Sequence, residues 1–226
     1  MLISTVKDNS SRANQAIVLL WIIAFVLALS TLSDLLVSAE TEGNEDSPIA
    51  SAQTILALAT IGLSIVSTVY FLRWFRRAYA NLKRAGRRIK HEDGWAVGAW
   101  FIPFLNLFRP YTIMKEIWAG THQLAYNTQP AHPAVRWWWL VFLLTSFMGR
   151  VTRTFYSYGN KQLENAAISD ALHTVCAIIF ILATISIIKN IAAAEEQLLL
   201  RQQVDAIGGP APEPTSYYPD EETLAY

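Results

Sequence analysis

GWAVGAWFIPFLNLFRPYTIMKEIW, residues 94–118, is the stretch on which the fold turns. Gly94 to Phe108 is uncharged for fifteen residues. As a helix it would rise about 22 Å, short of the ~30 Å hydrocarbon core of a bilayer. Pro103 removes a backbone donor and interrupts the turn before it. Asn106 offers a carboxamide to the carbonyls left open. Pro110 suits the first turn of a new helix, in which Ile113 and Ile117 share a face while Lys115 and Glu116 point elsewhere. The pattern predicts a helix, a break and a second helix, dipping into the membrane from one side and returning. Broken backbone at that depth is tolerated only against protein or water, so the neighbouring spans are expected to surround it.

Upstream lies RWFRRAYANLKRAGRRIK, residues 73–90, with eight of the eighteen Lys and Arg residues of the chain and no acid. A basic cluster directly after an apolar run places that side in the cytoplasm. Arg73, Arg76, Arg77, Lys83, Arg84, Arg87 and Arg88 are the expected contacts to lipid headgroups, each worth ~1 kcal/mol at an anionic surface. Trp74, Phe75 and Tyr79 interleave with the bases as stacking side chains do in nucleic-acid binders. The same composition is ordinary at a membrane interface, and no nucleic-acid partner is expected.

The rest of the chain reads as membrane helix. Of 226 residues 53% are hydrophobic and 16% charged, with zero net charge and a mean hydropathy of +0.26. A soluble domain carries nearer a quarter charged residues. Residues 13–33 are uncharged and rise about 31 Å, more than the ~7–15-residue apolar core of a signal peptide, so a retained helix is expected despite Val37-Ser38-Ala39. Glu40 to Pro48 is an acidic loop, and a second apolar run follows from Ile49 to Leu72. Arg136 and Trp137-Trp138-Trp139 open a third span with the tryptophans at the headgroup level. Its uncharged run ends at Arg150, so crossing requires the helix to continue past Arg153. The last span runs from Ala171 to Ile188 and continues as a mixed-charge helix to Ile207. The expected organisation is a polar segment 1–12, a helical membrane domain 13–207 and a Pro- and acid-rich disordered tail 208–226.

The 94–118 stretch, with the RWFRRAYANLKRAG helix before it, resembles the bacterial membrane family described as domain of unknown function 4328. The likeness covers roughly residues 47–202, from the shared tryptophans, the Pro-x-x-Asn break and the Pro-Tyr pair to the helix ending AAAEEQLLLRQ. It implies a helical fold and a membrane location, and it brings no activity, substrate or catalytic residue.

Two side-chain groups are candidates for chemistry. Asp34, Arg150, Arg153, Asp170 and His173 fall near the outer boundary, where ionisable groups in spans mark a site more often than chance. The structural alternative is that the arginines pair with Asp34 or Asp170 and lock the bundle. Pro103, Asn106, Arg109 and Pro110 form the second group, since helix ends at a break coordinate ions in discontinuous transporter helices. His91, His122, His132 and His173 lack metal-ligand spacing, and Cys176 is the sole cysteine, so no metal and no cofactor is expected. No nucleophile or phosphate-loop motif supports an enzyme.

The expectation is an all-α polytopic bundle of the cell membrane with four spans, near 13–36, 49–72, 134–157 and 170–189. A re-entrant broken helix sits between the second and third, and both termini are cytoplasmic. Five spans, with 94–114 crossing fully, is the rival. For function, a non-catalytic scaffold or partner-binding protein, acting on a protein partner or as a homo-oligomer, stands ahead of a small oligomeric transporter or channel lined by the 103–110 break.

Overall fold

The structure, a computed structural model, describes residues 6–40, 48–128, 131, 133–157 and 163–208. Most of those residues are helical and none is in a strand. α1 spans Ser10–Glu40, α2 Pro48–Arg84, α3 Trp95–Gly98, α4 Arg109–Tyr126, α5 Pro133–Ser157 and α6 Leu163–Gly208, with a 3-10 turn at Leu105–Leu107 before α4. α1 packs against α2 and α6, and α6 packs against α5. α2 and α5 close no comparable interface, so the four long helices form an open arc. α4 lies across one end of it, touching α6, α2 and α5.

α1, α2 and α6 are long and apolar enough to cross a bilayer. Only 22%, 17% and 33% of their most apolar windows are buried within the protein. Ile55, Leu58, Ile61 and Ile65 of α2 are all more than half exposed, as are Phe25 of α1 and Val175 of α6. Helices that are apolar all round yet uncovered by protein need an apolar solvent. α5, expected as a fourth span, is a 25-residue helix but is not among the three. Arg136, Arg150, Arg153 and hydroxyls such as Thr145 and Ser146 break up its apolarity. The expected spans therefore all lie on helices, while three of the four meet the requirement.

The packed core sits at the end of the arc that carries the basic cluster. Trp74, Phe75, Tyr79 and Leu82 of α2, Ile113, Met114 and Ile117 of α4, Val135 and Trp138 of α5, and Ile187, Ile188 and Ile191 of α6 are 2% exposed or less. This corrects the expectation that Trp74, Phe75 and Tyr79 lie in the headgroup layer: all three are sealed inside. Of the tryptophan triplet, only Trp137 faces outward, at 62% exposure. Trp138 donates to Thr184 Oγ1 of α6 (2.9 Å) and Trp139 stacks on Phe142.

Length explains why the core is there. α2 has 37 residues and α6 46, about 55 and 69 Å of helix, far more than a bilayer is thick. The excess projects past Arg73 and Lys189 and buries its apolar stripe against α4. α2 ends in a left-handed cap, with Gly86 at φ +80° and the Arg87 N–H bonded to the Leu82 carbonyl (3.0 Å). Gly86→Ala is expected to lower stability by about 1 kcal/mol in thermal unfolding, because an added Cβ is strained at that φ although the space beside it is open.

The polar N-terminal segment is pinned from Val6 to Asn9. Val6 N–H donates to Gln202 Oε1 (3.1 Å), and Lys7 N–H to Asn81 Oδ1 (3.2 Å). Asn81 Nδ2 donates in turn to the Lys7 carbonyl (2.9 Å). The acidic loop 41–47, residues 158–162 and the tail from 209 lie outside the described residues, as do Met1–Thr5.

Candidate functional site

The 94–118 stretch folds as a short helix, a break and a longer helix, as its prolines predict. α3 is one turn long, and residues 99–108 are a chain of turns. At the tip Phe104 adopts φ +66° and ψ −45°, and the Leu105 N–H bonds to the Pro103 carbonyl (2.9 Å). That is the strained, positive-φ form of the three-residue γ-turn, held here by a bulky residue. Four residues before it, Trp100 anchors the segment. Its ring meets Phe71 and Phe75 of α2 and Trp138, Trp139 and Phe142 of α5 at centroid distances of 5.7 to 6.5 Å. Trp100 thereby fills the base of the gap between α2 and α5.

Beyond Trp100 the break is not surrounded by spans, contrary to the expectation. Phe101, Ile102, Phe104, Leu107 and Phe108 are 40–79% exposed and Pro103 is exposed as well. A break can stay on the outside because its own turns satisfy much of its backbone, with Asn106 N–H bonded to the Ile102 carbonyl (3.0 Å) and Phe108 N–H to Leu105 (3.1 Å). Asn106 does not repair the break with its side chain, whose Oδ1 is buried without a partner. The Arg109 guanidinium lies over the Trp95 ring at 4.0 Å, and its Nη1 is also buried and unpartnered. Pro110 is buried in the first turn of α4. The four break residues are thus neighbours in one turn-rich segment, with two polar atoms left open.

The outer group is brought together less fully. Asp34 Oδ1 accepts from Gln53 Nε2 (3.1 Å), and Asp34 and Asp170 are close enough to act on one another electrostatically. His173 packs beside Gly149, where a Cβ would come within 3.2 Å of its Nε2. Arg150 and Arg153 are exposed, and Arg153 Nε donates to the carbonyl of Gly149 in its own helix (3.0 Å). Neither arginine pairs with an acid among the described residues. The two helices are joined by Thr152 and Ser169 (2.9 Å), and α1 and α6 by Thr31 and Thr174 (2.8 Å). Arg150→Leu is therefore expected to change thermal stability in detergent by no more than about 0.5 kcal/mol.

The basic cluster divides. Arg73, Arg76, Lys83 and Arg88 are exposed, whereas Arg77, Arg84 and Arg87 are half-buried. Arg84 Nη1 donates to Asn81 Oδ1 (3.2 Å) and Arg87 Nη1 to Gln123 Oε1 of α4. Tyr79 ties the loop after α2 to α4: its hydroxyl donates to Glu116 Oε2 (2.9 Å) and accepts from the His91 N–H (3.1 Å). Burial, aided by the Glu116 carboxylate, raises the Tyr79 phenol well above its usual range.

A buried polar network escaped the sequence reading. Glu195 of α6 is 4% exposed and accepts from Asn81 Nδ2 (2.7 Å) and Asn9 Nδ2 (3.0 Å). It lies six residues past Lys189, outside the span expected at 170–189. Burial raises its carboxyl above the usual carboxylate range, against the lowering effect of the two asparagines. One signal was available. Glu195 stands four residues after Ile191 and seven after Ile188, on the stripe that buries α6. Among the described residues no group of three or more His, Cys, Asp or Glu side chains is placed to hold a metal.

The model of domain of unknown function 4328 matches residues 49–193, more than half of the chain, from the start of α2 through the broken segment to α6. The chain belongs to this family. The DUF4328 region contains the whole insert, its Trp100 anchor and both helices that receive the ring, whereas α1 and Glu195 lie outside the match. Searches of curated proteins and of solved structures returned no match.

Proposed function

We propose that this DUF4328 protein is a non-catalytic, multi-pass protein of the cell membrane that holds a protein partner, or a second copy of itself, on its cytoplasmic face. In this reading α1, α2, α5 and α6 all cross. Both termini and the insert share the side of the basic cluster, by the excess of Lys and Arg there. The exposed phenyl rings at 101–108 enter the lipid from that side without crossing, and Arg73, Arg76, Lys83 and Arg88 meet the headgroups.

The observation that carries the partner reading is the end of α6. Its shaft is fixed by Glu195 to α2 and to the N-terminal segment, and beyond that anchor Leu200, Val204 and Ile207 are 47%, 66% and 87% exposed. They recur at i, i+4 and i+7, the spacing of a helix that docks into a groove. A rigid rod ending in an uncovered apolar stripe is suited to holding. A photo-crosslinking residue at Val204 should give one adduct of defined mass in cells, lost in Leu200→Glu/Ile207→Glu. Absence of an adduct, with the protein correctly inserted, would overturn the reading.

One observation favours the transporter alternative, namely the open Asn106 Oδ1 and Arg109 Nη1 in the break. An uptake signal in liposomes that Asn106→Ala abolishes would support it.

A further inference from the structure

We propose that the gap between α2 and α5 binds a flat, carbonyl-bearing ring dissolved in the membrane, of the quinone class. The gap exists because the arc of long helices is open there, and Trp100 closes only its base. Above Trp100 lies a cavity of about 200 Å³ to which α1, α2, the insert, α5 and α6 all contribute. Each contributes at a similar depth. Leu20 is eight residues from Arg12, Ser67 six from Arg73, Phe142 six from Arg136 and Thr184 five from Lys189, or about 7–12 Å of helix inside the flanking charge. Arg12 Nη1 reaches the Arg73 carbonyl (3.4 Å), so two of these markers share one plane.

Two of the residues that line this apolar cavity carry a buried polar atom without a partner. The Ser67 hydroxyl is buried in a side chain only 4% exposed, and Trp100 Nε1 is also buried and unpaired. The other hydroxyls nearby are satisfied. Thr60, Ser64 and Thr68 each donate to the carbonyl four residues earlier, and Thr184 donates to Phe180 while accepting from Trp138. Ser67 is the exception in that run of α2. An indole N–H only donates and a hydroxyl can donate, so the molecule that satisfies both presents an acceptor oxygen. Phe71, Trp100, Phe142 and Phe180 supply aromatic walls, which suit a planar ring. An acyl chain at this depth would meet neither donor. Thr68, exposed on the lipid side, stands at the mouth.

The test uses the full chain in nanodiscs and 2-methyl-1,4-naphthoquinone as the probe, read by quenching of tryptophan fluorescence. Quenching is expected to saturate in the wild type. Ser67→Ala and Trp100→Phe should each weaken the apparent affinity about three- to tenfold, the range for one neutral hydrogen bond. Thr68→Phe should abolish saturation by filling the mouth. Ser67→Ala should leave the melting temperature unchanged or higher, since it removes an unpaired buried hydroxyl. Linear quenching in the wild type, or saturable quenching untouched by both Thr68→Phe and Ser67→Ala, would overturn the proposal. So would a density map showing a phospholipid chain in the gap that the naphthoquinone does not displace.

Discussion

Replacing Glu195 by alanine is expected to lower stability by about 2–3 kcal/mol, because it leaves one N–H of each of the Asn9 and Asn81 amides without an acceptor inside the core. The melting temperature of the detergent-solubilised protein should fall by several degrees, and residues 6–9 should become open to protease as their anchor on α2 and α6 loosens. Glu195→Gln should behave differently. It keeps the shape and an acceptor oxygen, and its amide can supply a donor to Asn9 Oδ1, which lacks one. The pH dependence separates the two effects. The Glu195 carboxyl is raised in the folded state above 4.5, so folding favours its protonated form. Its contribution is therefore fully present below about pH 4.5 and lost as pH rises through the folded value. Wild-type stability relative to Glu195→Gln should decline over that interval and then level off. A difference that stays flat from pH 4 to 8 would show that the carboxyl is not the buried titrating group.

Trp100→Ala is the second large effect, expected at about 2–4 kcal/mol. The ring touches five other aromatic rings across two helices that otherwise barely meet, and an alanine leaves that distance unspanned. Its loss should release the insert more than it unfolds the bundle. In a Cys176→Ser background, a Phe104→Cys probe should then change its labelling rate several-fold, while Trp100→Phe keeps most of the native rate. Equal rates in all three would mean that the turns at 99–108 hold themselves, without the tryptophan.

Much of the architecture was legible because membrane solvation acts on each segment separately. A run of twenty uncharged residues is apolar whatever it packs against, so the helices at 13–36, 49–72 and 170–189 could be read one at a time. The prolines at 103 and 110 are equally local, since a missing N–H breaks a turn wherever it occurs. Sites depend on pairs of distant residues and were less legible. Asn106 was expected to mend the break, yet the neighbouring turns do so and leave its oxygen open. Arg150 and Arg153 could have paired with acids on facing helices, yet both are exposed and neither pairs with an acid among the described residues. Trp74, Phe75 and Tyr79 have interface-type side chains, and composition alone could not reveal that all three are buried in the core.

The sequence by itself determined that this chain is helical, that it carries long apolar helices suited to a membrane, though it suggested four spans where three helices meet the requirement, and that residues 94–118 must break. These follow from hydropathy, helix rise and proline geometry, which act over a few turns. Tertiary structure alone decided where the core lies, which helices leave a gap, and which polar atoms are left in it. Those outcomes depend on the excess length of α2 and α6 beyond the bilayer and on one tryptophan reaching across the arc, contacts between residues tens of positions apart that no local pattern encodes.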